Sequence, residues 1–360
     1  MRKRRSSRLV LACFVLTGVC LGNIPEGLAE PSVWASARRP NASFRERRAA
    51  EAQKVLSDSA FQKERTEMRT GLPIGNEAIE AGRIEARSLL EQAGGATSPN
   101  MMVRLQYASI LQTIASKQTP RNLKNVEEAA KIIQTVIASR PDPAILEVAW
   151  AEIGVCYAVL GERDKEIHAY GQALNFQPVG HRRATIMANR AESYMGAGRL
   201  DDAIQGYRDA LASLLMDEMR AYGVTTLWGL AVALDRNGDL EGAFANIRLA
   251  RTYDVIDEEI NKDTWFYSPA YDEHWYKALG AWARARKIEN SIDRTFEYGK
   301  ALEAWDRYID RASPGDLYLA LAKVRRQACE QERERAAKAN PKPIINLWGS
   351  GSSTPFPLKP

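Results

Sequence analysis

Apolar residues recur every three to four positions through most of this chain, the spacing of one buried helix face. Glycine, proline and short polar runs interrupt the pattern at intervals. A charged helix is predicted from Phe44 to Met68, ended by Gly71-Leu72-Pro73 and Gly75. A second runs from Ile79 to Ala93, with Ile84, Leu89 and Leu90 read as its packing face. After the break at Gly94-Gly95 and Ser98-Pro99-Asn100, a helix from Met101 to about Ser116 presents Val103, Tyr107, Ile110 and Ile114. A polar loop follows, and the next helix closes at Pro141. From there helix pairs succeed one another to about residue 255. Residues 256–273 carry no helical period: three acids at Asp257, Glu258 and Glu259 precede Trp265-Phe266-Tyr267-Ser268-Pro269. The period then returns, with a lengthened turn near Asn290. Asp316 is placed to cap a last helix to about Lys338, with Leu317, Leu321 and Val324 read as facing inward.

Within this pattern, Trp150–Pro178 is the most regular stretch. Trp150-x2-Ile153-Gly154-x2-Tyr157 is followed by Tyr170 and Pro178. Small Gly154 lets two antiparallel helices approach, Gly161 ends the first and Pro178 stops the second. The stretch resembles the tetratricopeptide repeat, W-x2-L-G-x2-Y, then A-x3-F, then P; Glu166 stands where that family has a small residue. Similar spacings recur at Ala129-x3-Ile133, at Tyr194 with Ala203-x3-Tyr207, and at Leu227, Leu230-Ala231 and Leu234 with Ala243-x3-Ile247. They return at Tyr276-x2-Leu279-Gly280-x2-Ala283 and Ala301-x3-Trp305. Pro141, Pro178 and Leu215 are 37 residues apart. The block PAYDEHWYKALGAWARAR with ALEAWDRYID is also similar, more loosely, to exported tetratricopeptide proteins of deltaproteobacterial cell envelopes, including gliding-motility ones.

The expected fold is therefore all-α: a solenoid of helical hairpins over residues 101–255, with a helical extension at 30–95. A connecting loop at 256–273, a C-terminal helical unit at 274–338 and a disordered tail at 339–360 complete it.

Charge changes this picture little. Of the net charge of +5, +4 arises in residues 1–29, which hold five basic residues against Glu26; the remainder carries +1. Nothing here points to nucleic acid. That first stretch instead reads as a secretory leader, a basic start followed by 14 apolar residues. The cut falls before Glu30 or before Arg38, and retention as an anchor is the other reading. The expected location is the periplasm or cell envelope, with no stable membrane span after processing. Cys13 and Cys20 lie in the leader, leaving Cys156 and Cys329 as small core residues rather than a disulfide or zinc site.

No catalytic pattern emerges. His168, His181 and His274 form no pair at ligand spacing, and no HExxH, CxxC, phosphate loop or nucleophile elbow occurs. No enzyme activity, metal or cofactor is expected. In the resembled family the first helices line a concave wall that holds peptides. Here that wall would carry Glu152 and Val155, then Asn189 and Glu192, then Trp228 and Val232, then His274 and Lys277. It is apolar, with acids at its centre and bases at its C-terminal end. Ala151 and Val155 replace the Lys and Asn of the family's carboxylate clamp. The expected function is an exported scaffold holding a peptide or helix of another envelope protein, with Trp228 as an exposed anchor. The alternative is a glycan- or peptidoglycan-binding module using Trp265, Phe266, Tyr267, Tyr271, Trp275 and Tyr276.

Overall fold

The structure is a computed structural model that describes residues 44–70, 76–118, 120–255, 257, 259–261 and 267–339. The leader expected at 1–29, the residues at 30–43 and the tail expected beyond Ala339 lie outside the described residues.

Among the described residues the fold is all helical, with thirteen α-helices and no strand. They are α1 (Phe44–Thr70), α2 (Glu77–Gln92), α3 (Met101–Lys117), α4 (Leu123–Ala138), α5 (Pro143–Leu160), α6 (Arg163–Asn175) and α7 (Gly180–Gly196). Then follow α8 (Leu200–Ala212), α9 (Val224–Arg236), α10 (Leu240–Tyr253), α11 (Glu273–Ala285), α12 (Ser291–Arg311) and α13 (Leu319–Ala339). Two compact units divide between Tyr276 and Lys277, within α11 rather than before it.

The first unit is a solenoid of packed hairpins, α1–α2 through α9–α10. Three of its turns are made at glycines in the left-handed region, Gly161 (φ 75°), Gly198 (φ 76°) and Gly238 (φ 97°), where a side chain would be strained. The seams are tight. A Cβ on Gly154 would lie 2.6 Å from the Tyr170 ring, so only glycine lets α5 and α6 meet there. The extension is part of the stack: Ala52 and Leu56 of α1 and Ala86, Leu89 and Leu90 of α2 share one core with α3, α4 and α5. Helix α5 is long and apolar enough to cross a membrane, yet 61% of it is buried in this core.

Ile84 is 63% exposed, contrary to its expected packing role. Five residues separate it from Leu89, about 140° around the helix, and the face that packs is Gly82, Arg83, Ala86, Leu89 and Leu90.

The second unit packs α12 against α13. Asn290 caps α12, its Oδ1 accepting from Ile292 N at 2.9 Å. Asp316 accepts from Tyr318 N at 2.8 Å and from the Tyr308 hydroxyl at 3.0 Å, tying the start of α13 to α12. The inward stripe of α13 is Ala322, Cys329 and Ala336, spaced by seven, while Leu317 and Val324 are 64% and 56% exposed. Val324 is two residues from Ala322, about 200° away, so both residues leave the face expected of them.

Candidate functional site

First helices α3 and α5 pack together, as do α7 and α9, and these first helices are here called the wall of the first unit. The ends of α3, α5 and α9 are gripped by the segment Tyr267–Tyr276, here called the strap. Arg121, in the turn after α3, donates Nη2 to the Tyr267 carbonyl at 2.7 Å. Arg163, the first residue of α6, donates to the Ser268 carbonyl. The Ser268 hydroxyl donates to the Ala158 carbonyl in the last turn of α5 at 2.8 Å. At the end of α9, Arg236 Nη2 donates to Asp272 at 2.9 Å and Asp235 accepts the Trp275 indole N–H at 2.9 Å. The Arg236 guanidinium also lies over the Trp275 ring at 4.6 Å. Tyr267 meets Tyr276 edge to face at 5.2 Å, closing the strap on itself. Residues 267–273 of the connection are thus laid back over the hairpins they follow.

Local sequence sets each grip. Gly161 reverses the chain, which brings Arg163 beside the end of α5. Glu166, one turn on, holds Arg163 at 2.8 Å while only 2% exposed itself. The departure of Glu166 from the repeat pattern is therefore what orients a strap-binding arginine. Upstream, Arg251 on α10 holds Asp257 through a two-pronged ion pair at 2.7 and 2.8 Å. Asp254 accepts from Glu259 N at 2.8 Å.

The site is rich in withdrawn acid. Glu152, Glu166, Asp235 and Asp272 are all buried, and Glu192 is half-buried. Burial pushes the Glu192 carboxyl up to about 8, with Glu166 adding to the rise and Arg163 opposing it. Burial likewise pushes Glu152 up to about 7, against a lowering hydrogen bond from Ser109. Glu166 is raised by burial, less so because Arg163 is adjacent. The hydroxyls of Tyr170, Tyr207 and Tyr276 are driven well above the usual range, chiefly by burial. A carboxyl titrating near 8 is mostly protonated at neutral pH and acts there as a donor.

The expected wall residues fare unequally. Val155, Asn189 and Glu192 are half-buried, as are Thr185 and Ala188, so part of each reaches the surface while the Glu192 carboxyl is withdrawn. Trp228 is corrected: it is 1% exposed, with the Arg251 guanidinium 5.3 Å over its ring, and so is no exposed anchor. Val232 (0%), Glu152 (3%) and His274 (4%) are likewise closed to a partner in this structure. Lys277 is exposed and belongs to the second unit. Trp275 and Tyr276 are fully buried, so neither ring is free to stack on a sugar. Trp265 and Phe266 lie outside the described residues.

Sequence reasoning missed Arg121, Arg163, Arg236, Asp272 and Ser268. None sits in a periodic pattern with another; the one available signal was a buried-position acid, Glu166, three residues after Arg163.

The histidines serve packing: His168 meets Trp150 edge-on at 5.8 Å and His181 stacks on Tyr222 at 4.5 Å. No group of three His, Cys, Asp or Glu able to hold a metal occurs among the described residues. Cys156 and Cys329 are buried free thiols, and burial pushes both upward, Cys329 to about 12. No protein-family model matches this chain, and no curated protein matches it, so the wall is read from its own residues.

Proposed function

We propose that the protein is a non-catalytic scaffold of tetratricopeptide-like hairpins that holds an extended segment of another cell-envelope protein on its first-helix wall. One observation carries this reading: the wall already holds a non-helical stretch of polypeptide, Tyr267–Pro269, through main-chain carbonyls. Such grips recognise a peptide as a peptide, whatever its side chains. The half-buried Val155, Asn189 and Glu192 adjoin that site and offer apolar area beside an amide. The basic and apolar pattern of residues 1–29 supports export to the periplasm or envelope.

The test is a photo-crosslinking side chain placed at Asn189 on the wall, and at exposed Asp209 on α8 as the control. In cells, the Asn189 position is expected to yield one discrete protein adduct that Asp209 does not. Identical adducts from both positions, or none from Asn189, would remove the proposal.

A further inference from the structure

We infer that Tyr267–Asp272 is a resident occupant of the wall, and that a partner segment replacing it presents a hydroxyl residue followed, four positions on, by a carboxylate. This rests on the peptide-holding role just proposed and names the chemistry of the peptide and the device that guards its site.

The grips fall into two classes. Arg121 and Arg163 take the carbonyls of Tyr267 and Ser268, which every peptide offers. The selective contacts are the Ser268 hydroxyl on the Ala158 carbonyl and the Asp272 carboxylate on Arg236. Their spacing, residue 268 to residue 272, is fixed by the separation of the α5 and α9 ends. Proline at 269 suits the position between them, since it carries no N–H that would need a partner. The Ala158 carbonyl, which already accepts from Gly161 N at 3.2 Å, takes the hydroxyl as a second donor, and Arg236 takes an anion, so the register reads hydroxyl, three residues, acid.

Residues 267–271 of the occupant are not fully buried, and only Asp272 is, which suits a segment that can be exchanged. Around Glu192 stand Glu152 on α5, Arg163, Glu166 and Tyr170 on α6, Tyr207 on α8, Arg236 on α9, and Asp272 and Tyr276 from the strap side. With Asp235 and Arg121, the site gathers five carboxyl groups and three guanidiniums. Asp272 enters this cluster against the Arg236 guanidinium, 2.9 Å away. Leaving does not require a hairpin to open. The upstream chain is held by the Arg251–Asp257 pair, and α9 packs along α10. A segment tethered so closely has a high effective concentration, and it therefore masks the wall from weak free peptides.

The experiment uses the whole chain and a fluorescein-labelled peptide with the sequence of residues 264–274, TWFYSPAYDEH. Binding is read by anisotropy against the native protein and against the double variant Ser268→Ala/Asp272→Ala, whose helix content is checked by circular dichroism. The peptide is expected to bind the double variant at least about ten-fold more tightly than the native chain, because the variant's own strap competes poorly. The same peptide carrying the two alanines is expected to lose that affinity, and so is the double variant with Arg236→Ala added. Should the double variant lose its helix content, Ser268→Ala alone is read in its place, with a smaller gain in the same direction. Equal binding to native and folded variant, or no binding to the folded variant, overturns the inference. The probe needs no cellular partner. An empty Asn189 crosslink with a peptide that behaves as stated would sink only the envelope-partner role, while the reverse result would sink only the strap.

Discussion

Gly154→Ala, set against Gly171→Ala, isolates the seam on which the hairpins depend. Both glycines lie inside helices, α5 and α6, so alanine brings each the same gain in helix propensity, about 0.8–1.0 kcal/mol. Their surroundings differ. A Cβ at Gly171 meets nothing within 4 Å. At Gly154 it lies 2.6 Å from Cε1 and 2.8 Å from Cδ1 of Tyr170, a ring only 2% exposed with little room to retreat. Overpacking of this kind costs about 1–3 kcal/mol. Propensity cancels in the comparison, so Gly171→Ala is expected to exceed Gly154→Ala in stability by about 1–3 kcal/mol. Urea unfolding followed by helix signal reads the difference in midpoint. Equal midpoints would mean that α5 and α6 do not approach at Gly154, and the seam as described would be wrong.

Trp228→Ala removes a buried indole and is expected to cost about 3–5 kcal/mol in the same unfolding assay, where an exposed anchor would cost almost nothing. Glu192 gives a pH signature. Its folded-state titration lies above its unfolded one, near 8 against about 4.5, so the native state keeps the proton longer and stability falls as pH rises through that window. Glu192→Gln is expected to flatten the fall in unfolding midpoint between pH 5 and 8 (about the span over which the carboxyl ionises); an unchanged slope would show that Glu192 is not withdrawn from water. Export predicts a mature N-terminus near Glu30 or Arg38 in protein recovered from cells, and finding Met1 on a cytoplasmic pool would end that reading.

Much of the solenoid could be read because its determinants are local. Gly154 facing Tyr170, and Gly161, Gly198 and Gly238 at successive turns, each act within one hairpin, and helical spacing exposes them. Ile84 and Val324 were misplaced where an apolar residue fell off the face set by smaller neighbours such as Ala86 and Ala322. The strap escaped for a different reason. Ser268 meets Ala158 across 110 residues of chain, and Tyr267 meets Arg121 across 146, with no period to announce either contact. Trp228 followed from that failure. Its ring lies under Arg251 of the paired helix α10, which Asp257 of the aperiodic connection holds in place, and no periodic pattern announces that cover.

The central claim is that the wall holds residues 267–276 in place, and the coupling between Arg236 and Asp272 tests it most directly. The pair is 2.9 Å apart, with side chains 1% and 11% exposed, so removing either partner strands the other away from water. Each single variant, Arg236→Ala or Asp272→Ala, is expected to lose about 3–5 kcal/mol. Measured by unfolding, the double variant is expected to lose less than the sum of the two by at least about 1 kcal/mol, the coupling of groups in direct contact. Additivity within about 0.3–0.5 kcal/mol would place Asp272 away from Arg236 and take the strap off the wall.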